Sequence, residues 1–280
     1  MRKPRGVLIA GNWKMNYGSA ETSRFFAELT RLWNQGPLKQ PVQGLRACLI
    51  PSFLALETAI SQASAFAKTA KISPPLSIAA QNAHWETKGA FTGEVSGPML
   101  AELGIRCVLV GHTERRQYFG ESDATVRKRA ESLLNQGFSV ILCIGETLQE
   151  RQSNQTDVVL IRQLEEIIPL KGPGLKAFLD GRLIIAYEPV WAIGIGLNAS
   201  SDQVQEVHGK IRQLIQDRVP ASKASELTSI LYGGSVTPAN VDELLSCTHV
   251  DGALVGGASL KPESFFALIQ AGANALCKSG

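Results

Sequence analysis

The run Leu183-Ile184-Ile185-Ala186-Tyr187-Glu188-Pro189 is an apolar, strand-forming stretch that ends in a carboxylate and a proline. Because Pro189 cannot continue a hydrogen-bonded strand, Glu188 is predicted to lie at the carboxyl end of a buried strand. Parallel α/β folds bind their ligands at that end of the sheet. The segment 189–200 follows with glycines at Gly194 and Gly196, and it predicts either a lid that closes over the site or a static loop.

Seven further short apolar runs accompany this one, at 7–10, 47–50, 76–80, 107–110, 139–144, 230–232 and 253–255. Most are followed by a loop and a stretch with helical spacing, including 19–33, 123–136, 201–217 and 238–245. The alternation of strand and helix is typical of a parallel sheet, and strands that are apolar on both faces are covered on both sides. Eight such units in about 250 residues predict an α/β fold, the closed (β/α)8 barrel.

The competing fold is a doubly wound sheet. Its Gly-x-Gly-x-x-Gly fingerprint is missing after the first strand, where Gly11-Asn12-Trp13-Lys14 stands instead. The Pro- and Gly-rich stretches at 35–44, 70–75 and 170–174 lie between successive units and are predicted to be surface loops. We therefore expect a single domain over 1–280, with a barrel core at about 6–275.

Composition excludes several classes of function. The chain has 280 residues, 44% of them hydrophobic, which is enough for a large core. Lys and Arg number 28 against 25 Asp and Glu, and this near balance argues against nucleic acid or a membrane surface as partner. The apolar run at 7–10 is too short for a signal peptide or a membrane span. Five cysteines without a C-x-x-C pair predict reduced thiols and a cytoplasmic location.

Polar residues follow several of the predicted strands. Asn12 and Lys14 follow the first, His112 the fourth and Glu188 the sixth, so a barrel would place them on one rim. A carboxylate there can remove a proton next to a carbonyl, while an imidazole, an ammonium and an amide stabilise the resulting oxyanion. The alternatives are a buried histidine that caps a helix at His112, a salt bridge at Glu188 and a solvated surface lysine at Lys14.

Glycines follow the last two strands, in Gly233-Gly234-Ser235 and Gly256-Gly257. Backbone N–H groups without side chains in the way can converge on an oxyanion, and barrels often bind phosphate after strands seven and eight. The pattern predicts a phosphorylated substrate; the alternative is a tight turn capped by Ser235. The four histidines have no second His or Cys at ligand spacing, so we expect no metal site.

With these residues assembled, the chain resembles the triosephosphate isomerases from Val7 to Ala271. The resemblance is carried by seven motifs in order, at 11–16, 89–94, 110–116, 143–146, 187–194, 232–236 and 254–259. It implies a TIM barrel that interconverts dihydroxyacetone phosphate and D-glyceraldehyde 3-phosphate in glycolysis and gluconeogenesis, without cofactor or metal.

The resemblance also implies a role for each catalytic residue. Glu188 would move the proton between two carbons, and His112, kept neutral by a helix N-terminus, would act on the substrate oxygens, which is the arrangement known for this family. Lys14 and Asn12 would hold substrate and developing charge, and Glu114 would pair with Lys14 and orient it.

Four residues are implied to bind the phosphate through backbone groups once the lid closes: Gly194, Ser235, Gly256 and Gly257. A closed lid would prevent loss of phosphate from the enediolate by elimination. The chain departs from the usual family pattern at Thr113 beside the histidine and, in the lid, at Ile195, Leu197 and Asn198.

A homodimer is implied as well, in which a protruding loop docks beside Asn12 and Lys14 of the other subunit. The loop residues are Phe91, Thr92, Gly93 and Glu94, with Thr92 at the tip. Two other functions remain open at this point. One is a related isomerase for a longer phosphorylated ketose such as a tetrulose phosphate, and the other is an inactive barrel that serves as a binding protein.

Overall fold

The computed structural model describes residues 5–38, 42–70, 76–167, 172–192, 199–219 and 223–277. Every run that the sequence predicts as a strand overlaps one, and β1, β2 and β8 extend beyond the predicted runs. The strands are β1 Val7–Asn12, β2 Leu45–Ile50, β3 Ser77–Ile78, β4 Cys107–Val110, β5 Ser139–Ile144, β6 Leu183–Tyr187, β7 Ile230–Tyr232 and β8 Gly252–Val255. The predicted loops at 35–44, 70–75 and 170–174 lie partly outside the described residues.

The strands form one parallel sheet in the order β3-β2-β1-β8-β7-β6-β5-β4. Its two end strands meet through a parallel bridge between Ala80 and Val108. Ala80 donates to the carbonyl of Cys107 at 3.0 Å and accepts from the amide of Leu109 at 2.8 Å, which closes the barrel. The predicted (β/α)8 barrel is confirmed.

Helices alternate with the strands. They are α1 Ser19–Gln35, α2 Leu56–Ala70, α3 Gly97–Glu102, α4 Thr113–Tyr118, α5 Asp123–Asn135, α6 Leu148–Gln152, α7 Thr156–Ile167, α8 Gly172–Leu179, α9 Ser201–Arg218, α10 Ala224–Leu227, α11 Val241–Ser246 and α12 Pro262–Cys277. The helix expected from 238 begins at Val241 instead. The carboxamide of Asn240 accepts from the amide of Thr237 at 2.8 Å, and this side-chain turn occupies the preceding residues.

The strands are packed between two hydrophobic layers. One lies between strands and helices and contains large buried side chains such as Trp13 and Phe26. The other consists of residues of alternate parity and fills the barrel interior, including Leu8 and Ala10 of β1 and Ile184 and Ala186 of β6. Since successive strand side chains point to opposite faces, Asn12 and Glu188 continue the inward parity of these two strands.

Candidate active site

The carboxyl ends of the strands surround a pocket of about 250 Å³. Asn12, Lys14, His112 and Glu188, which come from three different strands in the sequence prediction, all line it. The glycine segments predicted to bind phosphate line it too, namely Gly233, Gly234, Ser235, Gly256 and Gly257. Of the predicted phosphate-binding residues, Gly194 lies outside the described residues, as do Ile195, Leu197 and Asn198.

Glu188 is buried, with 1% of its surface exposed. Its amide donates to the carbonyl of Ile144 at 2.8 Å, which fixes the backbone at the end of the sheet. Oε2 accepts from the amide and the hydroxyl of Thr113, both at 2.9 Å. Oε1 lies 3.2 Å from Nε2 of His112 but accepts no hydrogen bond from any residue that the structure describes. One oxygen of the carboxylate is therefore held and the other is unengaged.

Two glycines make room for Glu188, one for its backbone and one for its side chain. A Cβ at Gly145 would lie 1.8 Å from the carbonyl oxygen of Glu188, and a Cβ at Gly233 would lie 2.8 Å from its Cγ. Both approaches are closer than a side chain allows, so only glycine fits the observed geometry at these positions. Gly145 belongs to a family-like motif, but its contact with Glu188 has no signal in the sequence.

His112 precedes α4 and caps it. The amide of Glu114 donates to Nδ1 at 3.2 Å, so Nδ1 is an acceptor and the neutral ring carries its proton on Nε2. Nε2 lies on the wall of the pocket, 3.2 Å from Oε1 of Glu188, without a hydrogen bond between the two atoms. The two sequence interpretations of His112, helix cap and pocket residue, are thus both realised, because each uses a different ring nitrogen.

Lys14 has a left-handed backbone with φ 54°. Its amide donates to Oδ1 of Asn12 at 3.0 Å, and Nζ lies 2.5 Å from Oε1 of Glu114. A Cβ at Gly256 would lie 3.4 Å from Cε of Lys14, so the missing side chain there leaves space for the lysine. The ammonium group is thereby held beside the glycine wall of the pocket, where an anionic group of a ligand would meet it.

The predicted lid begins with a hydrogen-bonded turn. Glu146 is fully buried and accepts from the hydroxyl of Tyr187 at 3.0 Å and from Nε1 of Trp191 at 3.1 Å. Arg151 adds a contact at 3.2 Å. Burial, reinforced by the nearby carboxylate of Glu146, raises the pKa of Tyr187 well above its ordinary value. The sequence does not identify Glu146 as an anchor, because its aromatic partners come from the end of the following strand and from the turn after it.

Cys143 is buried close to the carboxylate of Glu188. Burial raises the pKa of its thiol well above the usual range, and the negative charge of Glu188 raises it further. A thiol held in its protonated form is a poor nucleophile, so Cys143 contributes to packing. The charged neighbour is distant in the sequence and close only in the fold.

The described part of the chain has neither a metal-binding cluster nor a membrane-spanning helix. Within these ranges no group of three or more His, Cys, Asp or Glu side chains is arranged to hold a metal ion. The expectation of a reaction without metal or cofactor stays a prediction. Among the described helices, none is long and apolar enough to cross a lipid bilayer.

Comparison with known proteins gives a consistent result. The family model described as "Triosephosphate isomerase" matches residues 7–272. The triosephosphate isomerase of Alkaliphilus metalliredigens (strain QYMF) is 45% identical over 269 residues, covering 96% of this chain and 99% of the relative. That of Synechococcus sp. (strain JA-3-3Ab) is 43% identical over 267 residues, with 95% and 94% covered. The triosephosphate isomerase of Syntrophotalea carbinolica is 43% identical over 270 residues, covering 96% of this chain and 98% of the relative.

Proposed function

The chain belongs to the triosephosphate isomerase family, and from this premise we propose how its pocket carries out the reaction. The protein is an isomerase that interconverts dihydroxyacetone phosphate and D-glyceraldehyde 3-phosphate, a reaction of glycolysis and gluconeogenesis. One observation carries the assignment of roles. Oε1 of Glu188 is buried, unengaged and 3.2 Å from Nε2 of His112, on the wall of the same pocket as Lys14.

Glu188 is the base in this proposal. Its carboxylate takes a proton from the carbon next to the carbonyl, the C–H electrons form a carbon–carbon double bond, and the carbonyl oxygen gains negative charge. Return of the proton to the neighbouring carbon, with a proton exchanged between the two oxygens, gives the isomer. Burial of Glu188 supports this role, because a buried carboxylate meets the substrate away from bulk water, where the reactive intermediate is protected from side reactions.

His112, Lys14 and Asn12 stabilise the enediolate. Nε2–H of His112 donates to the substrate oxygens, in the arrangement known for this family, and Nδ1 remains bonded to the amide of Glu114. Lys14 provides positive charge and Asn12 an amide donor. Glu114 holds the ammonium of Lys14 in place through the 2.5 Å ion pair.

The phosphate is bound by backbone groups of Ser235, Gly256 and Gly257, with Gly194 added when the lid closes. Support comes from the pocket wall, which is built from glycines and a serine beside Lys14. No side chain fills the space that a Cβ at Gly257 would occupy. Backbone N–H groups in such a wall bind an oxyanion without a charged side chain of their own.

The experiment measures initial rates on D-glyceraldehyde 3-phosphate in a coupled dehydrogenase assay, beside phosphorylated tetruloses. Glu188→Ala is compared with Glu102→Ala, which removes an exposed carboxylate from the end of α3. Rapid triose turnover that disappears only in Glu188→Ala supports the assignment. Faster turnover of a tetrulose identifies a relative with a different substrate, and equal rates in the two variants remove Glu188 as the base.

We also propose that the protein is a homodimer and that residues 89–94 are its docking loop. In this chain the loop residues are exposed, and the ring of Phe91 is 43% exposed. Met15, next to Lys14, is 96% exposed and offers a second apolar contact beside the pocket. A partner that docks here would bury this apolar surface, and such burial favours association.

Light scattering with size-exclusion chromatography tests the dimer. Thr92→Arg places a charge at the proposed tip of the loop and is expected to give a monomer with reduced activity. Thr69→Arg, on the exposed side of α2, is the matched control and should leave the mass unchanged. If both variants are monomers, or if both are dimers, the docking role of the loop is contradicted.

We also propose that the protein is located in the cytoplasm. Cys48 and Cys143 are buried thiols outside any disulfide. Burial raises the pKa of Cys48 to about 11, which protects that thiol from oxidation. Unpaired thiols persist in a reducing compartment. Immunolocalisation or fractionation of cells that express the chain tests this location.

A further inference from the structure

The loop after β1 contains two non-glycine residues with left-handed backbones. Lys14 has φ 54° and Tyr17 has φ 66°. In this region the Cβ of an ordinary residue crowds its own backbone, so such residues persist only where their surroundings hold them. Lys14 carries the ammonium group that lines the pocket, so whatever holds its backbone also sets the position of that charge.

A side chain from another strand end holds each of these residues by its carbonyl. Nε2 of Gln81 donates to the carbonyl of Lys14 at 2.7 Å and to that of Ile50 at 3.2 Å. Oγ of Ser52 donates to the carbonyl of Tyr17 at 3.0 Å. The two contacts are similar in kind, but only the first acts on the lysine.

Gln81 connects Lys14 to a rigid part of the barrel. The carbonyl of Ile50 ends β2 and also accepts from the amide of Trp13 at 3.1 Å. The carboxamide of Gln81 therefore ties the carbonyl of Lys14 to the edge of the sheet, while Asn12 binds the amide of Lys14 at 3.0 Å. The backbone of Lys14 is fixed on both sides, and Gln81 itself is absent from the pocket lining.

We propose that Gln81 is a positioning residue for the reaction: by holding the Lys14 carbonyl it keeps the left-handed conformation that directs the ammonium group toward the substrate. The inference rests on the proposed role of Lys14. It does not make Gln81 a catalytic residue, since Gln81 acts only through the lysine. Without the amide donor, the backbone of Lys14 is free to relax to a right-handed or extended conformation, and Nζ leaves its place.

Kinetics of Gln81→Met test the proposal. Methionine matches glutamine in length but donates no hydrogen bond, and Gln81→Glu keeps the shape while turning the donor into an acceptor. We expect kcat/KM for D-glyceraldehyde 3-phosphate to fall about ten- to a hundredfold in both variants, chiefly through KM, because small displacements of a positioned group have effects of this size. Inorganic phosphate should inhibit both variants less strongly than the unchanged protein.

Ser52→Ala is the matched control, because it removes the equivalent hydrogen bond from Tyr17 and leaves Lys14 untouched. It is expected to lower the thermal midpoint without changing KM or inhibition by phosphate. Gln81→His, which retains one N–H donor, should recover part of the lost kcat/KM. A purely structural role for Gln81 would instead lower the thermal midpoint and leave the kinetic constants unchanged, as in Ser52→Ala, and would overturn the inference.

Lys14→Met distinguishes failure of the positioning role of Gln81 from failure of the proposed role of Lys14. If it abolishes turnover while Gln81→Met and Gln81→Glu behave like the unchanged protein, the positioning role fails and the proposed function stands. If Lys14→Met turns over normally, the role of Lys14 is wrong and the inference falls with it. A large loss in Lys14→Met with a smaller, KM-weighted loss in the Gln81 variants supports both.

Discussion

Each end of the barrel contains a buried carboxylate, and the two carboxylates differ in their hydrogen bonds and ion pairs. At the amino end, Asp251 is fully buried, and its Oδ1 lies 2.7 Å from Nε of Arg5. Its Oδ2 lies 2.7 Å from Arg212 and accepts from the amide of Ile230 at 3.0 Å. At the carboxyl end, Glu188 is buried to the same degree, yet its Oε1 has no hydrogen bond among the described residues.

The difference supports separate roles for the two carboxylates. A buried charge with every oxygen bonded is stable, and removing it leaves its partners unpaired. A buried carboxylate with an unengaged oxygen is unfavourable until a ligand supplies a proton to it. We infer that the amino end of the barrel contributes stability and the carboxyl end chemistry, as is general for barrels of this type.

The largest expected effect is on chemistry at the carboxyl end. Glu188→Gln keeps the shape of the side chain but is not a base, and kcat should fall about 10²–10⁴-fold, the range for loss of general base catalysis. The coupled assay with D-glyceraldehyde 3-phosphate measures this effect. A kcat within a factor of a few of the unchanged protein would show that the unengaged oxygen has no part in the reaction.

The next effect is on stability at the amino end. Asp251→Asn leaves Arg5 and Arg212 facing a neutral amide, and the free energy of unfolding should fall by about 3–5 kcal/mol, as for other broken buried ion pairs. Urea unfolding at a fixed protein concentration measures it. Asp202→Asn, at an exposed position in the first turn of α9, is the control and should cost far less. Equal losses would contradict the special status of Asp251.

A pair of glycines gives a smaller and more specific contrast. A Cβ at Gly252 would lie 1.9 Å from the carbonyl oxygen of Leu8, and the backbone there has φ 145°. Gly252→Ala should therefore lower the free energy of unfolding by about 1–3 kcal/mol, a typical cost of overpacking. Gly233→Ala meets Cγ of Glu188 instead and should reduce kcat more than stability. In the reverse outcome, Gly252→Ala would lower kcat and Gly233→Ala would lower the free energy of unfolding. That result would contradict the separate roles of the two ends.

The smallest effect is a pH dependence of stability at the amino end. Burial, followed by the positive charges of Arg212 and Arg5, lowers the pKa of His249 below its ordinary value, although Asp251 acts in the opposite direction. As pH falls below about 6.5, the unfolded chain takes up a proton on this residue before the folded protein does, so stability decreases in that window. His249→Gln should reduce this slope in urea titrations between neutral and mildly acidic pH. An unchanged slope would show that His249 does not contribute.

The sequence predicts the catalytic end better than the stabilising end, for a physical reason. The apolar run and Pro189 are local features, and they place Glu188 at the end of β6, whereas its inward direction is seen only in the structure. The same holds for His112, whose capping bond spans two residues. Local pattern is enough wherever neighbouring residues determine the end or the cap of an element.

Contacts between distant residues could not be predicted in this way. Thr113 reaches Glu188 across 75 positions, and Arg5 reaches Asp251 across 246. Gln81 reaches the carbonyl of Lys14 across 67. None of these pairs leaves a periodic signal, because each depends on which strand ends become neighbours when the barrel closes. The segment with Gly194 stays a prediction from the sequence alone.

The most direct test measures stability for a variant at the carboxyl end and activity for a variant at the amino end. The free energy of unfolding is measured for Glu188→Gln, and kcat/KM is measured for Asp251→Asn at a temperature well below its thermal midpoint. We expect Glu188→Gln to be at least as stable as the unchanged protein and Asp251→Asn to retain its full kcat/KM. A large loss of stability in the first variant, or of kcat/KM in the folded second variant, would contradict this expectation.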